Sequence, residues 1–225
     1  MATQKNQHYV PRCALRLFTS QMEGRAINLF NIEAKKSIQN APVKGQCSRD
    51  YFYGKDLRAE NILARLEGHY ARIASLLIHE CQITAEDENW LRLFVVVQTR
   101  RTEGAIRELE LFSLGMTDAA FKSHPDQRPP ALDHAALVKL SVGAGVKLHD
   151  YMRDLKFIIL RNRTELEFIT SDHPAVISNK FSFEKLGDKK FGMSNSGVFL
   201  VLPISPKLTA FFFDLGVYTV AVRAF

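Results

Sequence analysis

The chain has 225 residues, enough to bury a sizeable core in one domain or two small ones without disulfides or metals. Hydrophobic residues make up 46% of it and charged residues 24%, a mix typical of globular proteins that excludes a disordered chain. Its longest uninterrupted apolar runs fall far short of the roughly 20 residues needed to span a bilayer, so no membrane span is predicted.

The N-terminal end predicts a cytoplasmic location, because residues 1–6 carry no apolar segment of the kind that a secretory signal needs. The three cysteines, Cys13, Cys47 and Cys81, are odd in number and show no CxxC pairing. This pattern predicts reduced thiols and neither a disulfide framework nor a zinc site. The net charge of +6 favours an anionic partner, although the basic residues are spread along the chain.

The first elements in chain order are short. Cys13 to Phe18 is predicted to form a helical turn, and Ala26 to Ile32 alternates as a half-buried strand does. A long helix is predicted from Asp56 to about Glu80. Its apolar stripe consists of residues at steps of three and four: Ile62, Leu66, Tyr70, Ile73 and Leu77.

A second long helix is predicted to start after Thr84, a favourable N-cap, and to run to about Phe112. Its middle is apolar nearly all round, which indicates burial. Gln98, Arg101 and Glu108 extend this helix and are expected to share one face.

The proline-rich segment 124–130 ends this helical pair, and residues 131–155 are predicted to form another helix. Its predicted apolar side consists of Leu137, Leu140, Ala144 and Leu148. Gly143 and Gly145 weaken the pattern in a way that suggests close packing. From Lys156 onward, short β-type runs are predicted at residues 157–160, 166–170, 175–178, 198–204, 208–213 and 217–222.

This order predicts an α+β fold, with a central bundle of long helices packed on a C-terminal, mostly antiparallel sheet and a small N-terminal β segment. We expect residues 1–225 to form a single domain. It would consist of the N-terminal motif and β segment at 1–55, a helical region at 56–155 and a β-rich region at 156–225.

Two polar-aromatic clusters stand out, Gln7-His8-Tyr9-Val10-Pro11-Arg12 and Thr170-Ser171-Asp172-His173-Pro174. Each combines a histidine, a proline and hydrogen-bonding side chains, which neither helix nor strand periodicity requires. The prolines restrict the local backbone, and the second cluster follows a predicted strand, so both histidines are expected to be held in place. The alternative is structural, because the second cluster is also a good capping and turn sequence.

Four blocks together resemble the bacterial family called domain of unknown function 4238. They are Gln7–Arg12 with Leu15–Phe18, Gln98–Thr102, Phe168–Pro174 and Leu202–Pro206, and they fit the family in order and approximate spacing. The resemblance implies no particular reaction. Glu103 stands where the family usually has proline, so the helix is expected to continue further. The chain also ends at Phe225, earlier than such proteins, which suggests a truncated product or an added partner element.

Treated as one constellation, the predicted site has His8, Asp172 and His173 as catalytic residues and Tyr9, Arg12, Gln98 and Arg101 as substrate-binding residues. Arginines match phosphate oxygens, and a histidine beside a carboxylate moves protons. The residues therefore favour a nuclease-like phosphodiester hydrolase. Two alternatives stay open: a non-catalytic module that binds nucleic acid, a nucleotide or another phosphate-bearing ligand, and purely structural motifs. A divalent metal on the histidines and Asp172 is also left open.

Overall fold

The computed structural model describes residues 5–20, 23–55, 58–186 and 191–221. Its α-helices are α1 (Arg12–Leu15), α2 (Arg58–Ile78), α3 (Ala85–Gln98), α4 (Glu103–Ala120) and α5 (His134–Leu148). Its β-strands are β1 (Asn6–His8), β2 (Ala26–Asn31), β3 (Lys36–Pro42), β4 (Ser48–Asp50), β5 (Lys156–Arg161), β6 (Val176–Ser178), β7 (Phe199–Ser205) and β8 (Leu208–Phe213). The predicted α+β class is confirmed.

The strands form three antiparallel groups. The C-terminal sheet has the order β5-β8-β7-β6, β2 and β3 form a hairpin, and β1 pairs with β4. β7 and β8 are largely buried and rich in phenylalanine and leucine, as strands in the middle of a covered sheet are. No helix in the described ranges is long and apolar enough to cross a membrane.

One connected hydrophobic core joins the N-terminal region, the helices and the sheet. Tyr70 of α2 stacks on Phe94 of α3 with ring centroids 3.9 Å apart. The Arg92 guanidinium of α3 lies 5.3 Å from the ring centroid of Phe212 in β8, which places the helix layer against the sheet.

The apolar stripe of the first long helix is confirmed from Leu66 onward, with Tyr70, Ile73 and Leu77 also buried. The first residue predicted for the stripe was wrong, because Ile62 is 69% exposed and Leu63 is buried instead. Leu63, three residues before Leu66, lies on the buried face of the helix, and Ile62, four residues before it, does not.

The predicted helix from Thr84 to Phe112 is two helices. α3 ends at Gln98, and α4 starts after Thr102, whose Oγ1 accepts a hydrogen bond from the Ala105 N–H as its N-cap. The helix therefore breaks even though Glu103 replaces proline. Arg101 lies in the break, so the shared helical face predicted for Gln98, Arg101 and Glu108 does not exist.

The break is held by α5. A Cβ built on Gly145 would lie 3.2 Å from both Val97 Cα and Arg100 Cβ, so the close packing suggested for this glycine is present. A Cβ on Gly143 would meet nothing within 4 Å. The predicted apolar side of this helix was wrong at two of its four positions. Leu137 is buried and Leu148 half-buried, Leu140 and Ala144 are exposed, and the face that α5 buries consists of Leu137, Val138, Ser141 and Gly145.

Two predicted strands are also wrong. Residues 166–170 belong to no sheet, and the Phe168 N–H donates to Pro206 O over 2.9 Å. Residues 217–221 form no strand, and Val222 lies outside the described residues. Three strands were not predicted, β1, β3 and β4, because they are mostly polar.

Candidate functional site

The N-terminal motif is fixed by backbone pairing on one side. β1 pairs with β4, with His8 opposite Ser48, and the Tyr9 N–H donates to Cys47 O over 2.9 Å. The buried Gln7 side chain accepts a hydrogen bond from the Tyr53 N–H and donates to Gly54 O. The backbone at His8 is thereby tied to the segment that precedes α2.

Arg101 fixes the same backbone from the helical side. Its Nε donates to the Tyr53 hydroxyl over 3.0 Å, and its Nη2 donates to His8 O over 3.0 Å and to Glu67 Oε1 over 2.7 Å. The side chain is only 1% exposed, so this ion pair is shielded on one side. The Tyr53 hydroxyl also donates to His8 O. Since Arg101 sits in the helix break, its reach toward β1 depends on that break.

Gln98 holds the next residue of the motif. It is fully buried, and its Nε2 donates to Tyr9 O over 2.9 Å, while its Oε1 has no hydrogen-bond partner in the described part of the chain. A ligand in an open pocket does not reach a fully buried amide. Gln98 is therefore placed to position Tyr9.

A pocket of about 440 Å³ opens beside His8, and we call it the His8 pocket. Its polar lining consists of His8, Arg12, Cys13, Tyr53, Glu60, Asn61, Glu67 and Arg101. Three predicted site residues, His8, Arg12 and Arg101, thus share one cavity. Glu60 and Glu67 supply carboxylates from α2. The pocket lining therefore carries both positive and negative charges.

The pKa of His8 lies below its usual value, first because the imidazole is partly buried and second because the Arg12 guanidinium is near. Its Nε2 lies 3.1 Å from Lys44 O, and a carbonyl only accepts, so the Nε2 carries the proton. The imidazole is therefore neutral at pH 7, with an unprotonated Nδ1. This is the protonation state that a general base requires.

The carboxylates and Arg101 add two further features to the pocket. Burial raises the pKa of Glu60, opposed by a hydrogen bond that Gln7 Nε2 donates over 3.2 Å. The Nη1 of Arg101 is buried and has no hydrogen-bond partner among the described residues. An unpaired buried donor of a charged group is costly, so a ligand oxygen that reached it would gain a strong hydrogen bond.

The second motif forms a different group, which we call the His173 cluster: Thr102, Ser171, Asp172 and His173. His173 Nδ1 lies 2.6 Å from the buried Thr102 Oγ1, and the His173 N–H donates to Ser171 Oγ over 3.0 Å. Burial lowers the pKa of His173. Asp172 is exposed. The predicted turn bonding of Ser171 is present, but His173 is half-buried and anchored to the start of α4.

Tyr9 is a buried residue of the N-terminal motif whose hydroxyl is influenced by Asp172 of the His173 cluster. Its ring packs on Phe52 with centroids 5.2 Å apart, and it is buried, so it is not exposed for stacking on a base. Burial raises the pKa of its hydroxyl, and the Cys47 thiol and the Glu103 and Asp172 carboxylates act in the same direction. Burial likewise raises the pKa of the Cys47 thiol to about 12, so that thiol is protonated.

The second histidine motif does not contribute to the His8 pocket. In the described residues, neither Asp172 nor His173 lines the His8 pocket. No three His, Cys, Asp or Glu side chains of the described ranges come together as a metal site would need, so His8, Asp172 and His173 do not form one.

Five polar lining residues of the pocket were not predicted, Cys13, Tyr53, Glu60, Asn61 and Glu67. One signal could have found the carboxylates, because Glu60 and Glu67 lie seven residues apart on a predicted helix and therefore share a face. Tyr53 gave no such signal, since its hydroxyl reaches the site only through the fold of residues 51–54.

The fold and the site define an α+β protein whose N-terminal motif is clamped onto a helix break and forms one wall of a polar pocket. The family model described as Protein of unknown function (DUF4238) matches residues 6–222, and the chain belongs to this family. No curated protein and no solved structure was found to be similar.

Proposed function

We propose that the His8 pocket is the active site of a nuclease-like phosphodiester hydrolase. The observation that carries this proposal is the pairing of a neutral, oriented His8 imidazole with the Arg12 guanidinium in one cavity. A neutral imidazole takes a proton from water, and a guanidinium binds phosphate oxygens in a bidentate manner.

The residues divide the reaction between them. His8 Nδ1 takes the proton as the water oxygen attacks phosphorus, and Arg12 binds the non-bridging phosphate oxygens. The bond from phosphorus to the leaving oxygen then breaks, and that oxygen takes a proton from Glu60, whose pKa is raised by burial. Arg101 positions His8 by donating a hydrogen bond to the main-chain carbonyl of His8.

The test measures cleavage of bis(p-nitrophenyl) phosphate and of labelled single-stranded RNA and DNA. We expect His8→Gln and Arg12→Gln each to lower kcat by about 100-fold or more, the range for a lost general base or a lost charge clamp. His79→Gln and Arg16→Gln are the matched controls, since both residues are exposed and lie outside the pocket lining. Cleavage by His8→Gln at the wild-type rate would refute the proposal.

The second candidate is a non-catalytic module that binds nucleic acid or another phosphate-bearing ligand. The net charge of +6 and the exposed Arg12 favour it. Binding of labelled single-stranded RNA without turnover, weakened by salt and by Arg12→Gln but not by His8→Gln, would select this function. If the wild type binds no ligand and His8→Gln only lowers the stability of the fold, the motif has a structural role.

A further inference from the structure

The outer side of α4 is apolar, although a helix at the surface normally turns polar residues to solvent. The buried residues of this helix, Ala105 and Ile106, both lie in its first turn, and the helix packs against α5. Further along, Leu111, Phe112 and Met116 expose between 58% and 65% of their surface. This side of α4 therefore has the composition of a contact surface.

An α-helix has about 3.6 residues per turn, which decides which residues share that surface. Beyond the first turn, the residues opposite Ile106 are all exposed, and they are Glu108, Leu111, Phe112, Gly115 and Ala119, with Met116 and Asp118 at the edges. We call this surface the α4 face. Gly115 lies at its centre, and a Cβ built there would meet nothing within 4 Å. The backbone at Gly115 is therefore open to close approach by a second helix.

Two charges of opposite sign lie at equal distances from this glycine. Glu108 lies seven residues before Gly115, and Lys122, in the turn that ends α4, lies seven residues after it. Among the described residues neither has an ion-pair partner, whereas Asp118 is paired with Arg128. Two copies of α4 that run antiparallel and cross at Gly115 would place Glu108 of each copy opposite Lys122 of the other.

We propose that the α4 face is the interface of a symmetric homodimer, with the two α4 helices antiparallel and crossing at Gly115. A twofold axis brings the same surface of both subunits together, so such an interface needs a surface that complements itself. At a crossing angle of about 20°, the helices diverge by only a few ångström over the seven residues to Glu108, which a lysine and a glutamate span. An unrelated partner protein would not require the equal spacing of the two charges.

The size of the α4 face sets the expected affinity. The helix has 18 residues and is therefore about 27 Å long. Its paired faces fall at the small end of protein–protein interfaces, so we expect a reversible dimer with a Kd of about 1–100 µM. Leu111 and Phe112 supply the apolar burial, and the two charges supply the orientation.

Sedimentation equilibrium of the full-length protein between about 1 and 200 µM tests for this dimer. Leu111→Glu should weaken it by about 10-fold or more, because each copy then buries a charge against apolar side chains. Leu166→Glu makes the same change at a leucine that is 85% exposed and outside the α4 face, and it should dimerise as the wild type does. Neither side chain is buried in the monomer, so circular dichroism should show both variants folded.

Charge exchange tests the antiparallel arrangement. Glu108→Lys and Lys122→Glu should each weaken dimerisation by about 3- to 10-fold, because like charges then meet at both ends of the interface. An equimolar mixture of the two variants should regain the wild-type affinity, since the heterodimer pairs opposite charges at both ends.

A disulfide between copies tests the crossing point. The background is Cys81→Ser, because Cys81 is exposed. Gly115→Cys should crosslink two copies under mild oxidation. Gly104→Cys changes an exposed glycine of the same helix with equal room, and it should not crosslink, because antiparallel pairing puts its two copies at opposite ends.

Three results would each overturn the inference. A wild type that stays monomeric at about 200 µM leaves the α4 face to a partner of another kind. A dimer that Leu111→Glu weakens no more than Leu166→Glu lies elsewhere on the molecule. Mixed charge variants that dimerise no better than either alone, or Gly104→Cys that crosslinks as readily as Gly115→Cys, contradict the antiparallel pair. None of these readouts depends on hydrolysis, so the outcome is independent of the His8 pocket.

Discussion

Replacement of Arg101 by methionine tests whether the buried cation holds the N-terminal motif in place. The change removes three donated hydrogen bonds, to the Tyr53 hydroxyl, to His8 O and to Glu67 Oε1, and fills a similar volume with an apolar chain. Breaking a buried ion pair costs about 3–5 kcal/mol when the remaining charge is stranded.

Three features of the structure lower that figure. Glu67 keeps a side chain that is 28% exposed, so water solvates its carboxylate after the change. The methionine also removes the unpaired Nη1 of Arg101, which lowers the stability of the wild type. His8 O keeps the hydrogen bond from the Tyr53 hydroxyl. We therefore expect Arg101→Met to lower the free energy of unfolding by about 2–3 kcal/mol.

Urea unfolding followed by tryptophan fluorescence and far-ultraviolet circular dichroism measures this difference. Arg153→Met is the matched control, because its ion pair with Asp150 is exposed on both sides and should be worth no more than about 1 kcal/mol. A loss below 1 kcal/mol for Arg101→Met, equal to the control, would refute the claim that this network fixes the motif.

Further predictions concern the helix break, its cap and three histidines. Gly145→Ala should lower the unfolding free energy by about 1–3 kcal/mol, because the new Cβ meets the Val97 backbone. Gly143→Ala in the same helix should raise it by about 0.5–1 kcal/mol, and equal effects of the two changes in thermal denaturation would contradict the packing argument. Thr102→Val should lower the unfolding free energy by about 1–2 kcal/mol by removing the α4 N-cap, and Thr102→Ser should restore most of it. Burial lowers the folded-state pKa of His8, His134 and His173, so below pH 6.5 the unfolded chain binds more protons. Unfolding free energy should then fall as pH drops below about 6.5 and level off once the folded-state pKa values are passed; a flat urea midpoint between pH 7 and pH 5 would contradict this.

The sequence was most informative where one helix face determines burial. Leu66, Tyr70, Ile73 and Leu77 could be assigned to the core because they follow a regular period on a long helix. The helix break could not be predicted in this way. It depends on Gly145, which lies far along the chain and allows α5 to approach Val97. The extended segment at 166–170 has the composition of a strand but lacks a partner strand, which composition does not reveal.

The candidate site was predictable only in part for a related reason. His8, Arg12 and Arg101 were identified because their residue types carry chemistry, and they do share a pocket. The separation of these three residues from His173 could not be predicted, because it depends on Thr102, which ends the helix break and contacts His173. Glu60 and Glu67 were not singled out in the sequence, and only the docking of the N-terminal motif makes them pocket walls.

The side chains that hold the N-terminal motif lie far from it in the sequence, which affects the order of events during biosynthesis. The hydrogen bonds from Gln98 to Tyr9 and from Arg101 to His8 join residues 89 and 93 positions apart. During translation the first residues therefore emerge long before the side chains that hold them, and closing so large a loop is slow compared with forming α2. The β1–β4 pair alone, three residues on each side, is too short to be stable by itself. The N-terminal motif should consequently dock late, after the helical hairpin of α2 and α3 has formed, and its docking marks completion of the pocket.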